Sequence, residues 1–414
     1  MFPASVFKIG NGLTLIHQEI STTPVVVADV WVKAGANLEP ESWCGMAHFL
    51  EHMIFKGTET LKAGVFDKTI EFLGGVSNAA TSYDYAHYSL TTAATYLEET
   101  LPLMGELLVN AAIPEVELSC ERNVVLEEIR QASDNPDWMG FQALYKNIYQ
   151  QHPYGRSILG SEQNVAQYRA EELRCFHRSH YQPENMTVAI AGGIGASKAL
   201  ELVNSSFDKF APPFEDYPPT KTATQPYITG IHRQEIQLPR LEQARLLMGW
   251  VAPGVEQIRI CYGLDLLSVI LAGGRTSRLV RDLREERQVV NGISSSFSLQ
   301  QQSSLFTINA WLESEQLEQV EELIRLHLQN LIKEITEQEL TRAKRLLCND
   351  YAFSTETPLQ LAGLYGYYNT IATAELSVTY PSSIKSFDVK ELEWIAYKYL
   401  SPDNYAVTVV KARE

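Results

Sequence analysis

No apolar run in this 414-residue chain reaches the ~18–20 positions that a membrane-crossing helix needs. The amino terminus, MFPASVFKIGNGLTL, lacks a basic stretch followed by an apolar core and a small-residue cleavage site. It also lacks the arginine-rich amphipathic character of an organelle transit peptide. A cytoplasmic location without membrane contact is therefore the expectation. Cysteine is sparse: Cys44, Cys120, Cys175, Cys261 and Cys348 are odd in number and show no C-x-x-C spacing. That pattern disfavours a disulfide framework and fits free thiols in a reducing compartment. Positive charge is in deficit, with a formal net charge of −16, which argues against a nucleic-acid partner. The acid excess suits cationic partners if it lines a cavity; a solvated acidic surface accounts for it equally well.

Among what is present, 45% apolar and 20% charged residues describe a globular chain, and the length suggests two to three domains. VFKIGNGLTLIHQE reads as strand, turn at Asn11-Gly12, strand. PVVVADVWVKAG is a second β-rich run, and ESWCGMAHFLEHMIFKG has a helical period that stops at Gly57. VSNAATSYDYAHYSLTTA returns to strand, and helical patterns follow through PEVELSCERNVVLEEIRQASDN. A proline-rich connector, residues 211–227, has neither period.

The two sides of that connector rhyme. His180-Tyr181-Gln182-Pro183-Glu184-Asn185 precedes one β-run, and Tyr399-Leu400-Ser401-Pro402-Asp403-Asn404 precedes another, with the asparagines 219 residues apart. The expected fold is α+β: two homologous domains, each an antiparallel-rich mixed sheet flanked by helices. Their expected extents are 1–210 and 228–414, joined by the linker.

Histidine is scarce, with nine in the chain, which sharpens one stretch: His48-Phe49-Leu50-Glu51-His52. It reads H-x-x-E-H, the reverse of the zinc-protease H-E-x-x-H signature. On a helix, His48 and His52 share a face one turn apart and can bind a tetrahedral Zn²⁺ through neutral imidazoles. Glu51, beside them, can take a proton from water on the metal without being a ligand. The same 219-residue offset carries His48 and His52 onto Leu267 and Leu271, so only the first domain is expected to hold metal. A third ligand is needed. In ERNVVLEEIRQ, Glu121 and Glu128 lie two helical turns apart on one face and Glu127 points elsewhere. Val124, Val125 and Ile129 set this helix against a core. On spacing alone, a ligand and a surface carboxylate row remain equally open.

GMAHFLEHMIFKGTE, with ERNVVLEEI 76 positions downstream from His52 to Glu128, resembles the pitrilysin/insulinase family of zinc metallopeptidases, the inverzincins. The likeness is strongest to short bacterial members akin to the β-subunit of the mitochondrial processing peptidase. GGVSNAATSYDYAHYSL, HPYGRSILG, YQPENM and LAGGRTSRLVRDLREER extend it over essentially the whole chain. The resemblance implies one Zn²⁺ per chain held by His48, His52 and Glu128, with Glu121 bonding a ligand histidine and Glu51 as general base. It implies that Ser77, Asn78, Ala79, Ala80 and Thr81 form an edge strand that takes peptide substrate as an added strand.

Relatives also carry an Arg and a Tyr seven apart that hold substrate and stabilise the oxyanion. Here Arg284 stands at the Arg position, but Asn291 replaces the Tyr. The resemblance implies a dimer enclosing a chamber. The Asn291 departure favours a heterodimer, with an Arg/Tyr-bearing homologous subunit, over a homodimer.

The expected activity is zinc-dependent endopeptidase action on peptides or unfolded segments. The alternative is a non-catalytic structural or assembly subunit, which the intact ligand set disfavours. AGGIGAS (191–197) lacks the Lys-Ser/Thr of a phosphate-binding loop and reads as a turn. His177 and His180 read as helix packing or a surface location rather than a second metal pair.

Overall fold

VVVADVWV and MTVAIAG, two runs apolar along most of their length, lie side by side in the computed structural model. It describes residues 2–214, 216–220 and 223–413; Glu215, Lys221 and Thr222 of the proline-rich connector lie outside the described residues. The first sheet comprises β1 (Ser5–Lys8), β2 (Thr14–Glu19), β3 (Val25–Val32), β4 (Val76–Thr81), β5 (Ala86–Ala93) and β6 (Met186–Gly192). Their order is β1-β2-β6-β3-β5-β4. Only β2 and β6 pair in parallel. Every residue of β6, and all but the first of β3, is buried, which requires cover on both faces. At the rim, β4 alternates exposed and half-buried residues, the signature of a half-covered edge.

The second sheet comprises β7 (Ile231–Leu238), β8 (Ala244–Pro253), β9 (Gly292–Ser298), β10 (Ser303–Leu312) and β11 (Tyr405–Ala412), in the order β7-β11-β8-β10-β9. This repeats the first sheet without β1, down to the single parallel pair, β7 with β11. Val25 pairs with Ala93, and 219 residues on Ala244 pairs with Leu312. The expected architecture of two related mixed sheets flanked by helices is what forms. Leu267 and Leu271 sit fully buried on the helix Ile258–Ala272, where the first half has histidines.

The two compact units cut across the sequence halves. One contains Met1–Arg130, Arg156–Thr222 and Ser354–Val378, and the other Gln131–Gly155, Ala223–Phe353 and Thr379–Glu414. Each therefore takes a helix from the other half of the sequence. Pro136–Tyr149 packs on β7, β8 and β11, and Pro358–Ile371 packs on β3 and β6. Both helices have 14 residues and the same start signal, a capping side chain followed by proline. Asn135 accepts the N–H groups of Asp137 and Trp138, and Thr357 forms a capping box with Gln360. The helix Pro358–Ile371 lies close because Gly366 carries no side chain: a Cβ there would sit 2.1 Å from Trp31 Cδ1.

Candidate metal centre

The histidine motif lies on the helix Met46–Ile54. Met46, Ala47, Phe49, Leu50, Met53 and Ile54 are buried against the first unit, leaving the imidazoles and Glu51 on the remaining face. The helix is shorter than its periodicity suggested, because residues Glu41–Trp43 form a separate 3₁₀ turn.

Facing it is the helix Glu115–Ser133, seated through Leu118, Val125 and Ile129, while Val124 turns outward, 51% exposed. His48 Nε2 and His52 Nε2 each lie 3.5 Å from Glu128 Oε2, and ligand atoms of the three residues fall within 4.8 Å of one another. Tetrahedral zinc with bonds of about 2.0–2.1 Å separates its ligand atoms by about 3.4 Å. The trio fits such an ion. Glu127 instead lies at the surface beside Arg130, so of these two neighbouring acids it is Glu128 that meets the histidines.

Glu121 reaches the same centre from two turns earlier. Its Oε1 accepts His52 Nδ1 at 2.9 Å, and its Oε2 meets Lys56 Nζ at 2.6 Å. His52 is thereby held with Nδ1 as donor and Nε2 toward Glu128. His48 Nδ1 has no hydrogen-bond partner among the described residues, so packing and the Glu128 contact at its Nε2 orient that ring. Burial, then the neighbouring His52, pushes His48 down to about 4. Burial works the same way on His52, but hydrogen bonds to Glu121 and Glu128 outweigh it and hold that imidazole up at about 9. A cation entering the site displaces that proton. The hydrogen bond from His52 is the main cause that holds the Glu128 carboxyl below its ordinary range.

Glu51 is partly buried, and burial raises its pKa, opposed first by the Thr81 hydroxyl. Thr81 Oγ1 donates to Glu51 Oε2 at 2.6 Å. This bond ties the acid to the end of β4, the strand expected to receive substrate. β4 pairs only with β5 and ends the sheet. Along it, Ser77 and Ala79 share the Thr81 side, while Asn78 and Ala80 face the other way. Asn78 Oδ1 folds back onto the Ala79 N–H at 3.0 Å. Phe55, Phe66, Tyr88 and Leu107 line an apolar recess beside Ser77 and Asn78.

Arg284 and Asn291 belong to the second unit. Arg284 lies on a π-helical turn, Val280–Glu286, and both its Nε and Nη2 donate to Glu285 Oε1. The Asn291 side is exposed, and its N–H donates to Trp311 O at 2.8 Å. His177 and His180 serve packing: both imidazoles are pushed down to about 4 by burial, and His177 Nε2 donates to Leu108 O. Sequence reasoning missed Lys56, and for Thr81, which it placed on the substrate strand, it missed the bond to Glu51. Lys56 lies four positions after His52, a spacing that puts it on the ligand face of a helix; nothing local signalled the Thr81–Glu51 bond.

Residues 14–162 match the family described as Insulinase (Peptidase family M16), and residues 168–347 match the one described as Peptidase M16 inactive domain. The leucines that replace histidines fall in the latter stretch. A Bacillus subtilis protein named "Uncharacterized zinc protease YmxG" is 30% identical over 354 residues, 84% of this chain and 83% of that protein. The chain belongs to the insulinase family of peptidases, M16. "Zinc protease PqqE" of Helicobacter pylori is 29% identical over 403 residues, 96% of this chain and 90% of that one. The crystal structure of a protease from Helicobacter pylori superposes with a TM-score of 0.93 at 28% identity, covering 99% of each chain. M16 relatives thus include proteins named zinc proteases, and this member keeps a His-His-Glu group able to hold a metal. Among its described residues, no helix is long and apolar enough to cross a membrane.

Proposed function

We propose that this protein is a zinc-dependent endopeptidase acting on peptides or unfolded segments. The observation that carries the reading is the convergence of His48, His52 and Glu128 at ligand spacing with Glu51 beside them on the same helix. Zn²⁺ held by those three residues, one ion per chain, would supply Lewis-acid activation of water and of the scissile carbonyl. Glu51 takes the proton of the attacking water and returns it to the leaving nitrogen. Its raised pKa suits a base that must also act as an acid, and Thr81 holds its carboxylate in place. Glu121, braced by Lys56, keeps His52 in the binding tautomer. Substrate docks along β4 by main-chain bonds, and the small side chains of Ser77, Ala79 and Ala80 allow a backbone to come close.

Arg284 holds substrate in this reading, and Asn291 is too short and too weak a donor to replace the family's phenol. A homologous subunit bearing an intact Arg/Tyr pair supplies what is missing, in a dimer that encloses the chamber. The free thiols fit a reducing, cytoplasmic setting. The departure at Asn291 also favours one second reading, a non-catalytic subunit.

Hydrolysis of a quenched peptide library separates the two. Chelator-sensitive cleavage is expected, with Glu51→Gln binding zinc like the wild type while losing about 10³-fold or more in turnover. Normal turnover by Glu51→Gln would refute the mechanism. Absence of chelator-sensitive cleavage, even with a partner subunit, would favour the non-catalytic reading.

A further inference from the structure

The histidine helix begins without a capping side chain of its own. Its cap position is Gly45, held at φ 94°, and a Cβ there would lie 2.6 Å from Gly160 Cα. No residue that caps through a side chain fits this position. The first N–H groups of any helix still need acceptors. Two of them find one acceptor upstream: Gly45 N donates to Glu39 Oε2 at 3.0 Å, and Ala47 N donates to Glu39 Oε1 at 2.8 Å.

Glu39 is 1% exposed. Burial pushes its carboxyl up to about 8, while the Ala47 and Gly45 amides and the Arg156 guanidinium pull it down. Arg156 fixes the turn that carries Glu39 by donating to Glu39 O and Ala36 O at 3.0 and 2.9 Å. A buried carboxyl is costly unless its bonds are used, and the proposed chemistry gives Glu39 no task. With both oxygens accepting from helix amides, the carboxyl stands in for the capping side chain that Gly45 cannot supply.

We propose that Glu39 is a positioning residue: its carboxyl group sets the start of the helix Met46–Ile54, and with it the direction of His48, Glu51 and His52. The inference rests on the zinc-peptidase reading only in its effect on turnover. The helix-start bonds are independent of it. Glutamine at this position keeps one acceptor and turns an NH₂ toward the other amide. Alanine leaves both amides without a partner.

The test compares wild type, Glu39→Gln, Glu39→Ala and, as a control, Glu339→Ala. Glu339 pairs with Arg278 and accepts the Thr336 N–H in the second unit, so its loss destabilises the protein elsewhere. Three readouts are taken: hydrogen exchange over residues 44–54 by mass spectrometry, Zn²⁺ affinity by competition with a chromophoric chelator, and kcat and KM on a peptide. Glu39→Gln is expected to speed exchange in that segment by about tenfold, to weaken zinc by about 10–100-fold, and to lower kcat with KM within about twofold. Glu39→Ala is expected to do more, and Glu339→Ala to leave the segment and the zinc affinity alone.

Wild-type exchange and zinc affinity in Glu39→Gln would overturn the proposal, and this isostere decides if Glu39→Ala does not fold. An equal loss in Glu339→Ala would also overturn it, by showing general destabilisation. If the wild type hydrolyses nothing even with an Arg/Tyr-bearing partner subunit, while Glu39→Gln still alters exchange and zinc affinity, the peptidase reading fails and the positioning role stands.

Discussion

Lys56, Glu121 and His52 form a relay of contacts in which each group fixes the next. The ammonium of Lys56, 2.6 Å from Glu121 Oε2, leaves Oε1 free to take His52 Nδ1 at 2.9 Å. The hydrogen bonds from His52 and Lys56 outweigh burial and hold the Glu121 carboxyl below its ordinary range. A protonated Glu121 would offer His52 a weaker acceptor and a less certain tautomer. His48 has no such support on its Nδ1, so the site depends unequally on its two imidazoles. Glu121→Gln is therefore expected to weaken zinc by about 10–100-fold. Lys56→Met, which removes only the brace, is expected to cost less, about three- to tenfold. Competition with a chromophoric chelator at pH 7.5 reads both. Wild-type affinity in Glu121→Gln would show that the ring is held by packing alone.

At the level of helices and strands, the apolar runs, the duplicated order and the histidine helix were legible because each is a local pattern repeated or punctuated by turns. The exchange of Pro136–Tyr149 and Pro358–Ile371 between units was not legible, because the apolar face of a helix does not say which sheet it covers. Glu39 was hidden for a related reason. Helix caps are sought next to the helix, and this one reaches back six and eight positions in sequence. Glu128 was legible only in part, since spacing gave a shared face with Glu121 and the opposing helix decided the rest. The helix Ala170–His180 fits its sequence reading, with His177 and His180 as packing groups. Burial pushes both imidazoles down to about 4, whereas an unfolded histidine titrates near 6.5. The unfolded chain therefore binds more protons between those limits, and stability present above about pH 6.5 is lost as pH falls toward 4. Each shift corresponds to of order 3 kcal/mol when fully expressed. The His180 ring packs on Phe176 and Tyr217, and its Nε2 has no partner among the described residues, so His180→Phe keeps the packing. Urea midpoints at pH 7 and 4.5 are expected to differ clearly in the wild type and by less in His180→Phe. An unchanged pH dependence in the variant would mean that His180 titrates alike in the folded and unfolded chain.

For the whole molecule, duplication has specialised the two units. One carries the His-His-Glu group able to hold a metal, and the other has Leu267 and Leu271 at the equivalent helix positions, with the Arg284 and Asn291 pair. A reaction that needs both contributions is incomplete in one chain if Asn291 cannot donate as a phenol does. The Asn291 backbone is anchored through its N–H to Trp311 O and the residue is exposed, so Asn291→Tyr adds a ring without displacing the core. If the missing phenol limits the isolated chain, this substitution raises its kcat/KM by at least about tenfold, the scale of one lost oxyanion donor being about 10²–10³. Addition of a homologous Arg/Tyr-bearing subunit is expected to raise wild-type activity by a similar factor, with a shift to a dimer of unlike chains in sedimentation. Such a subunit should do little for Asn291→Tyr. If wild type alone already cleaves as fast as the mixture and sediments as a dimer of one chain, the heterodimer is refuted and Asn291 suffices.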